Sequence, residues 1–274
     1  MSRKTIAGGV LAAMALTLVV VAVADAHDMF LMPVRYYLEP NAATLVRVLN
    51  GTFSKSENSI GRSRLADVAV VGPAGRTRLD TAQWSVKGDT STFELKATAA
   101  GTYVLGVSTK PNFIALSAKD FNSYLEEDGI PDVLNARRKD GEMGKPARER
   151  YSKHVKALVQ VGSTRSATAL TPLGYPAELV PMANPYGLKL GDTLSVRTFV
   201  LGKPAAGQLV QYGGRQLSGS NIAQQETRSD ANGVARIKVA GAGVWYIKFV
   251  NMVRVSGDTV DYESRWATLT FQVR

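Results

Sequence analysis

The chain opens with an apolar run over residues 6–24, behind a basic start at Arg3 and Lys4 and ahead of Ala24-Asp25-Ala26. Bilayer spans need about 20 apolar residues, so length alone fits a membrane segment. The basic front, Gly8-Gly9 and the small-x-small ending instead predict a cleavable signal peptide over 1–26. Beyond it the pattern shortens to alternation. Positions 44–49, 65–71, 92–97 and 102–108 predict strands, separated by turn clusters such as Gly72-Pro73-Ala74-Gly75 and Lys87-Gly88-Asp89. Strands at this spacing predict a sandwich and not βαβ units.

The character then changes. Ser117 is placed to cap a helix over 118–127, stopped by Asp128-Gly129. Pro131 suits the first position of a second short helix ending near Lys139. A third helix is expected from Ala147 to about Val155, leading into a strand at 157–161 that returns to the first sandwich. The helices over about 114–156 then form an insertion. After a polar connection at 163–176, strands are expected at 194–201, 208–212, 223–227, 234–239, 244–250 and 267–273, with Asn232-Gly233 in a turn that accepts positive φ. The expected fold is mainly β, with two sandwich domains at 27–165 and 166–274.

Composition narrows the chemistry. There is no cysteine among 274 residues, which excludes a lipoprotein anchor, disulfides and thiolate metal sites. No stretch after the leader is long and apolar enough to span a bilayer, so periplasmic or secreted localisation is expected. The formal charge of +10 suits anionic envelope surfaces. The basic residues are scattered and no nucleic-acid motif is visible. There is no Gly-x-Ser-x-Gly elbow and no phosphate loop, and consecutive carboxylates such as Glu126-Glu127 point apart on a helix.

Cleavage after Ala26 makes His27, one of two histidines, the first mature residue. Its α-amine, with a reference pKa of about 8, and its ring can chelate one metal. Two such nitrogens favour copper(II) when a second imidazole helps complete a tetragonal plane. His154, expected at the end of the third helix, is the available second imidazole. Asp28, Glu57 and Glu149 are candidate oxygen ligands, though each reads more readily as a solvated or salt-bridged carboxylate. Met29 and Met32 suit copper(I) or simple packing. Glu178 is expected to be buried and to need a partner, an arginine above all.

Several segments resemble the exported DUF4198 family, related to periplasmic components of nickel or cobalt uptake. They are Ala26-His27-Asp28-Met29-Phe30-Leu31-Met32-Pro33, Asn50-Gly51-Thr52-Phe53-Ser54-Lys55-Ser56-Glu57-Asn58 and Asp120-Phe121-Asn122-Ser123-Tyr124-Leu125-Glu126-Glu127-Asp128-Gly129, joined by 148–153, 173–178 and 262–266. The resemblance implies an Ig-like domain with a helical insertion, then a second sandwich, and includes the early histidine. The family pattern strengthens the case for His27. With the residues read above, the expected function is a periplasmic metal-binding protein for uptake or delivery of copper or nickel/cobalt, with His27, His154 and Asp28 as ligands and a membrane metal transporter as a candidate partner. A copper oxygenase with a histidine brace and a metal-free adhesion or carbohydrate-binding module remain alternative readings.

Overall fold

The computed structural model describes residues 27–274, so the expected signal segment, 1–26, lies outside the described residues. The first half contributes β1 (Asp28–Pro33), β2 (Tyr37–Leu38), β3 (Ala42–Gly51), β4 (Leu65–Gly72) and β5 (Gly75–Arg78). Then come β6 (Ser85–Lys87), β7 (Thr90–Ala97), β8 (Gly101–Thr109) and β9 (Asn112–Leu116). Two helices, α1 (Ala118–Glu127) and α2 (Pro131–Lys139), precede the long strand β10 (Ala147–Val161). The second half holds β11 (Ala177–Pro181), β12 (Thr193–Val200), β13 (Lys203–Pro204) and β14 (Leu209–Gln216). It closes with β15 (Asn221–Arg228), β16 (Val234–Lys238), β17 (Gly243–Arg254) and β18 (Tyr262–Val273).

A ten-stranded sheet in the order β15-β14-β17-β18-β10-β8-β4-β5 draws on both halves of the sequence, with β2 and β9 also paired to β10. Strand β10 is its spine. Its first part runs parallel to β18, from Glu149↔Tyr262 to Ala157↔Thr270, and its end runs antiparallel to β8. Two smaller sheets, β1-β3-β7-β6 and β11-β12-β13 with β16, cover it.

They cover opposite faces. Side chains alternate along a strand, so Val155, Ala157 and Val159 turn one way and pack with Met29, Leu31, Val46, Val48 and Phe93. Leu158 turns the other way, onto Leu179, Leu194, Val196, Leu269 and Phe271. Each such buried aliphatic chain stabilises by about 1.5–3 kcal/mol. The helices share the first face, where Phe121, Leu125 and Leu134 meet Val250, Met252 and Trp266.

The helix starts follow the sequence signals. Ser117 Oγ accepts from the Asp120 amide at 3.2 Å and donates to the Asp120 carboxylate at 2.7 Å, and Pro131 begins α2. The expected third helix is wrong: among the described residues the α-helices lie within 118–139, and 147–155 belongs to β10. There Ala147 and Glu149 are buried while Arg148 is exposed, a strand alternation disguised because a carboxylate occupies an inward position. Pairing to β9 on one side and β18 on the other overrides the helix-favouring composition.

Candidate ligand cavity at His27

Strand β1 lies across the large sheet, held by two buried threonines of β18. Thr268 Oγ1 donates to the Met29 carbonyl at 2.8 Å and Thr270 Oγ1 to that of Leu31 at 2.5 Å. This clamp fixes His27 and Asp28 at the rim of a cavity of about 540 Å³.

The second wall is the turn after β3. A Cβ on Gly51 would lie 2.5 Å from the Lys55 carbonyl, so the tight return needs glycine there. The Glu57 and Asn58 amides donate to the Asn50 carbonyl at 3.0 and 3.2 Å, and Ser56 Oγ donates to the Asp89 carbonyl at 2.6 Å. So held, the turn lines the cavity with Phe53 and Glu57. The third wall is one stripe of α1, Asp120, Ser123, Tyr124 and Glu127, which sit at i, i+3, i+4 and i+7 and so share one helix face. Asp128 extends it, and Tyr246 and Lys248 of β17 complete the lining.

Five carboxylates therefore line the cavity: Asp28, Glu57, Asp120, Glu127 and Asp128. His27 Nδ1 lies 3.1 Å from Glu57 Oε2. Asp28 pairs with Lys248 through Oδ2, while its buried Oδ1 has no hydrogen-bond partner among the described residues. Burial tends to lower the Lys248 ammonium, but Asp28 and Asp128 outweigh that and raise it. Asp128 is pushed up to about 8 by burial and then by the neighbouring Asp28 charge. Behind the lining, Lys153 Nζ donates to Asn50 Oδ1 at 2.7 Å and to the His27 carbonyl. Burial pushes Lys153 down to about 8. Glu149 accepts from the Tyr124 hydroxyl at 3.0 Å and from Ser264, and burial pushes it up to about 7.

His154 is elsewhere. It is adjacent to Lys153 on β10, and alternation sends it to the opposite face of the large sheet. It is 2% exposed, with Nδ1 2.9 Å from Ser108 Oγ and Nε2 3.0 Å from Ser152 Oγ. Burial pushes its pKa down to about 3, helped by Arg265. Both ring nitrogens are thus engaged in hydrogen bonds far from the His27 rim. The structure brings His27, Asp28 and Glu57 together and does not bring His154 to them. In a strand, the one-residue step from Lys153 decides the face that His154 takes.

The other sequence candidates separate cleanly. Glu149 is a buried hydrogen-bond acceptor behind the cavity. Met29 is core, and Met32 Sδ accepts from the Tyr36 hydroxyl at 3.6 Å. Glu178 is buried, but its partner is Lys156 at 2.7 Å and not an arginine. No local pattern in the sequence marks Lys153, Lys248 or Tyr246, which meet only through the fold, and Asp128 reads there only as a helix stop. Among the described residues no group of three His, Asp or Glu side chains is set to hold a metal ion.

Fold and cavity together define a mainly β protein with a helix-walled, carboxylate-lined cavity. The chain belongs to the DUF4198 family, a domain of unknown function, whose model matches residues 24–252. Three of the segments through which the sequence resembles that family, 26–33, 50–58 and 120–129, supply most of the cavity lining. No curated protein matches the sequence. Among solved structures, the D0–D1 domains of intimin align over 89% of this chain and 97% of theirs, at 12% identity and a TM-score of 0.21. Trypsin-activated α2-macroglobulin from Escherichia coli aligns over 90% of this chain and 16% of its own, at 11% identity and 0.23. A DUF4785 family protein from Legionella pneumophila aligns over 80% and 50%, at 10% identity and 0.26. At these scores the likenesses carry no inference. Among the described residues, no helix is long and apolar enough to cross a membrane.

Proposed function

We propose that this is an exported protein that captures a divalent transition metal, copper or nickel, at its processed amino terminus, for uptake or delivery. One observation carries the reading: His27 Nδ1, the ring nitrogen able to close a chelate with the α-amine of the same residue, faces Glu57 Oε2 at 3.1 Å on the rim of an acidic cavity. Cleavage after Ala26 supplies the amine. The donor set is then amine, imidazole and the Glu57 carboxylate, with Asp28 beside them. Mixed nitrogen and oxygen donors suit Cu(II) or Ni(II). Glu57 takes the role that the sequence reading gave to His154.

The reading makes the amine indispensable, because the His27 ring and Glu57 alone provide only two donors. Isothermal titration with Cu(II) and Ni(II) should show tight binding by protein that begins at His27. One extra residue ahead of His27 converts the amine to an amide and should weaken binding at least tenfold. Equal affinity in the two forms would overturn the amino-terminal site. Glu57→Gln should weaken binding several-fold, while His154→Gln should leave it unchanged.

A further inference from the structure

The cavity is much larger than an ion requires. Its volume of about 540 Å³ falls within the range of about 300–1,000 Å³ common for small-molecule sites. Its walls also differ in kind. On one side stand the carboxylates of α1 and its cap: Asp120, Glu127 and Asp128. On the other stand three rings, with Phe30 and Phe53 edge to face at 5.3 Å and Phe53 and Tyr246 at 4.8 Å. Apart from Glu57, which shares the turn with Phe53, neither wall serves a metal held at His27.

We propose that this cavity binds an aliphatic polyamine between the α1 carboxylates and the ring of Phe53, which Phe30 and Tyr246 back from beneath. The methylene segments pack on the half-buried Phe53 ring, and an ammonium near its face gains about 0.5–2 kcal/mol from its quadrupole. The remaining ammonium groups pair with Asp120, Glu127 and Asp128 on one wall and Glu57 on the other. Two carboxylate-bearing walls favour a ligand with more than one charge over a simple monoamine. The crowding of Asp128 against Asp28 points the same way, since a cation beside them relieves the repulsion that burial intensifies.

The +10 charge of the whole chain opposes cation binding, but only at long range. At physiological ionic strength screening acts over about 8 Å, so the charges inside the cavity dominate what it holds. Lys248 is already neutralised by Asp28, and Lys153 sits behind the lining. The local balance is negative.

This inference does not depend on the metal reading, and the two fail separately. The probe is spermidine, titrated calorimetrically at pH 8 and 150 mM salt with EDTA present, so that no metal takes part. The expected result is saturable one-to-one binding in the micromolar range, at least tenfold tighter than butylamine. Phe53→Ala changes a half-buried residue in a surface turn, and Asp120→Asn with Glu127→Gln changes exposed residues on α1. Each variant should weaken spermidine binding about tenfold. The α1 double variant should keep an unfolding midpoint close to wild type. Phe53→Ala, which loses its packing on Phe30 and Tyr246, should have a lower midpoint but still unfold cooperatively well above the titration temperature. No binding at millimolar spermidine, affinity equal to that of butylamine, or affinity indifferent to Phe53→Ala would overturn the proposal. The last outcome would indicate surface charge attraction alone.

Discussion

Lys153 and Lys156 stand three residues apart on one strand and face opposite sides of one sheet, and their surroundings differ in a way that separates structural chemistry from ligand chemistry. Lys156 meets Glu178 at 2.7 Å, and Glu178 also accepts from the Leu173 and Gly174 amides at 2.5 and 3.1 Å. Each charge there has its partner, and the pair is only 2–3% exposed. Lys153 stands behind a cavity where carboxylates outnumber ammonium groups and where buried oxygens of Asp28 and Glu149 have no partner among the described residues. A closed polar network holds two layers together. An open one, beside a cavity, has capacity left for a ligand.

The largest effect expected from this contrast is on stability. Removing one partner of a fully buried ion pair costs about 3–5 kcal/mol, because the other charge is left desolvated. Lys156→Ala should therefore lower the urea midpoint severely. Lys248→Ala, whose partner Asp28 lines a cavity open to solvent, should cost clearly less. Equal losses would show that the His27 side is as closed as the other, and the distinction between the faces would fail. Replacing Lys156 and Glu178 together by Met and Leu should recover much of the loss, since the pair then leaves no stranded charge.

Next in size is the response to acid on the His154 side. Burial holds the folded-state pKa of His154 down at about 3 against an ordinary value near 6.5. The unfolded chain takes up a proton below about 6.5 while the folded one does not, so stability falls as pH drops from about 6.5 towards 3. Between pH 6.5 and 4 the loss is on the order of 3 kcal/mol. His154→Gln keeps a donor and an acceptor for Ser108 and Ser152 without titrating. Its urea midpoint should fall less between pH 7 and 4 than that of the wild type. Parallel pH curves would mean that water reaches His154, reopening it as a ligand.

These two faces were unequally legible in the sequence. The strands of the second half, the capped helix at 118–127 and the Pro131 start could be read from alternation, Ser117 and proline, because those signals are local. The run Ala147-Arg148-Glu149-Arg150-Tyr151-Ser152-Lys153-His154 could not. Its inward positions carry Glu149 and Lys153, whose burial depends on Tyr124, Ser264 and Asn50 arriving from distant parts of the chain. A misread period there carried His154 to the wrong side. His27, Asp28 and Glu57 were within reach because a processing signal and acidic side chains are visible in one dimension. The aromatic wall was not, since Phe30, Phe53 and Tyr246 come from β1, the turn after β3 and β17, and no local pattern brings them together.

The smallest expected effect is the most specific to the cavity. Asp128 is pushed up to about 8, by burial first and by Asp28 second, with Lys248 and Lys153 opposing and Glu127 adding to the rise. A carboxyl raised in the folded state keeps its proton where the unfolded chain has lost it. Its contribution to stability is therefore present below about pH 4 and is lost as pH climbs through 8. Asp128→Asn removes that loss, and at pH 8.5 the variant should be more stable than wild type by roughly 1 kcal/mol, discounted for the partial solvent access of the cavity. Spermidine affinity should respond in the opposite direction. At pH 6.5 Asp128 is already neutral, so wild type and Asp128→Asn should bind alike. At pH 8.5 the wild-type carboxylate is ionised and the variant should bind several-fold more weakly. A gap in affinity of the same size at both pH values would mean that Asp128 is charged throughout, and that the excess of negative charge facing His27 is not poised by burial in the way its surroundings dictate.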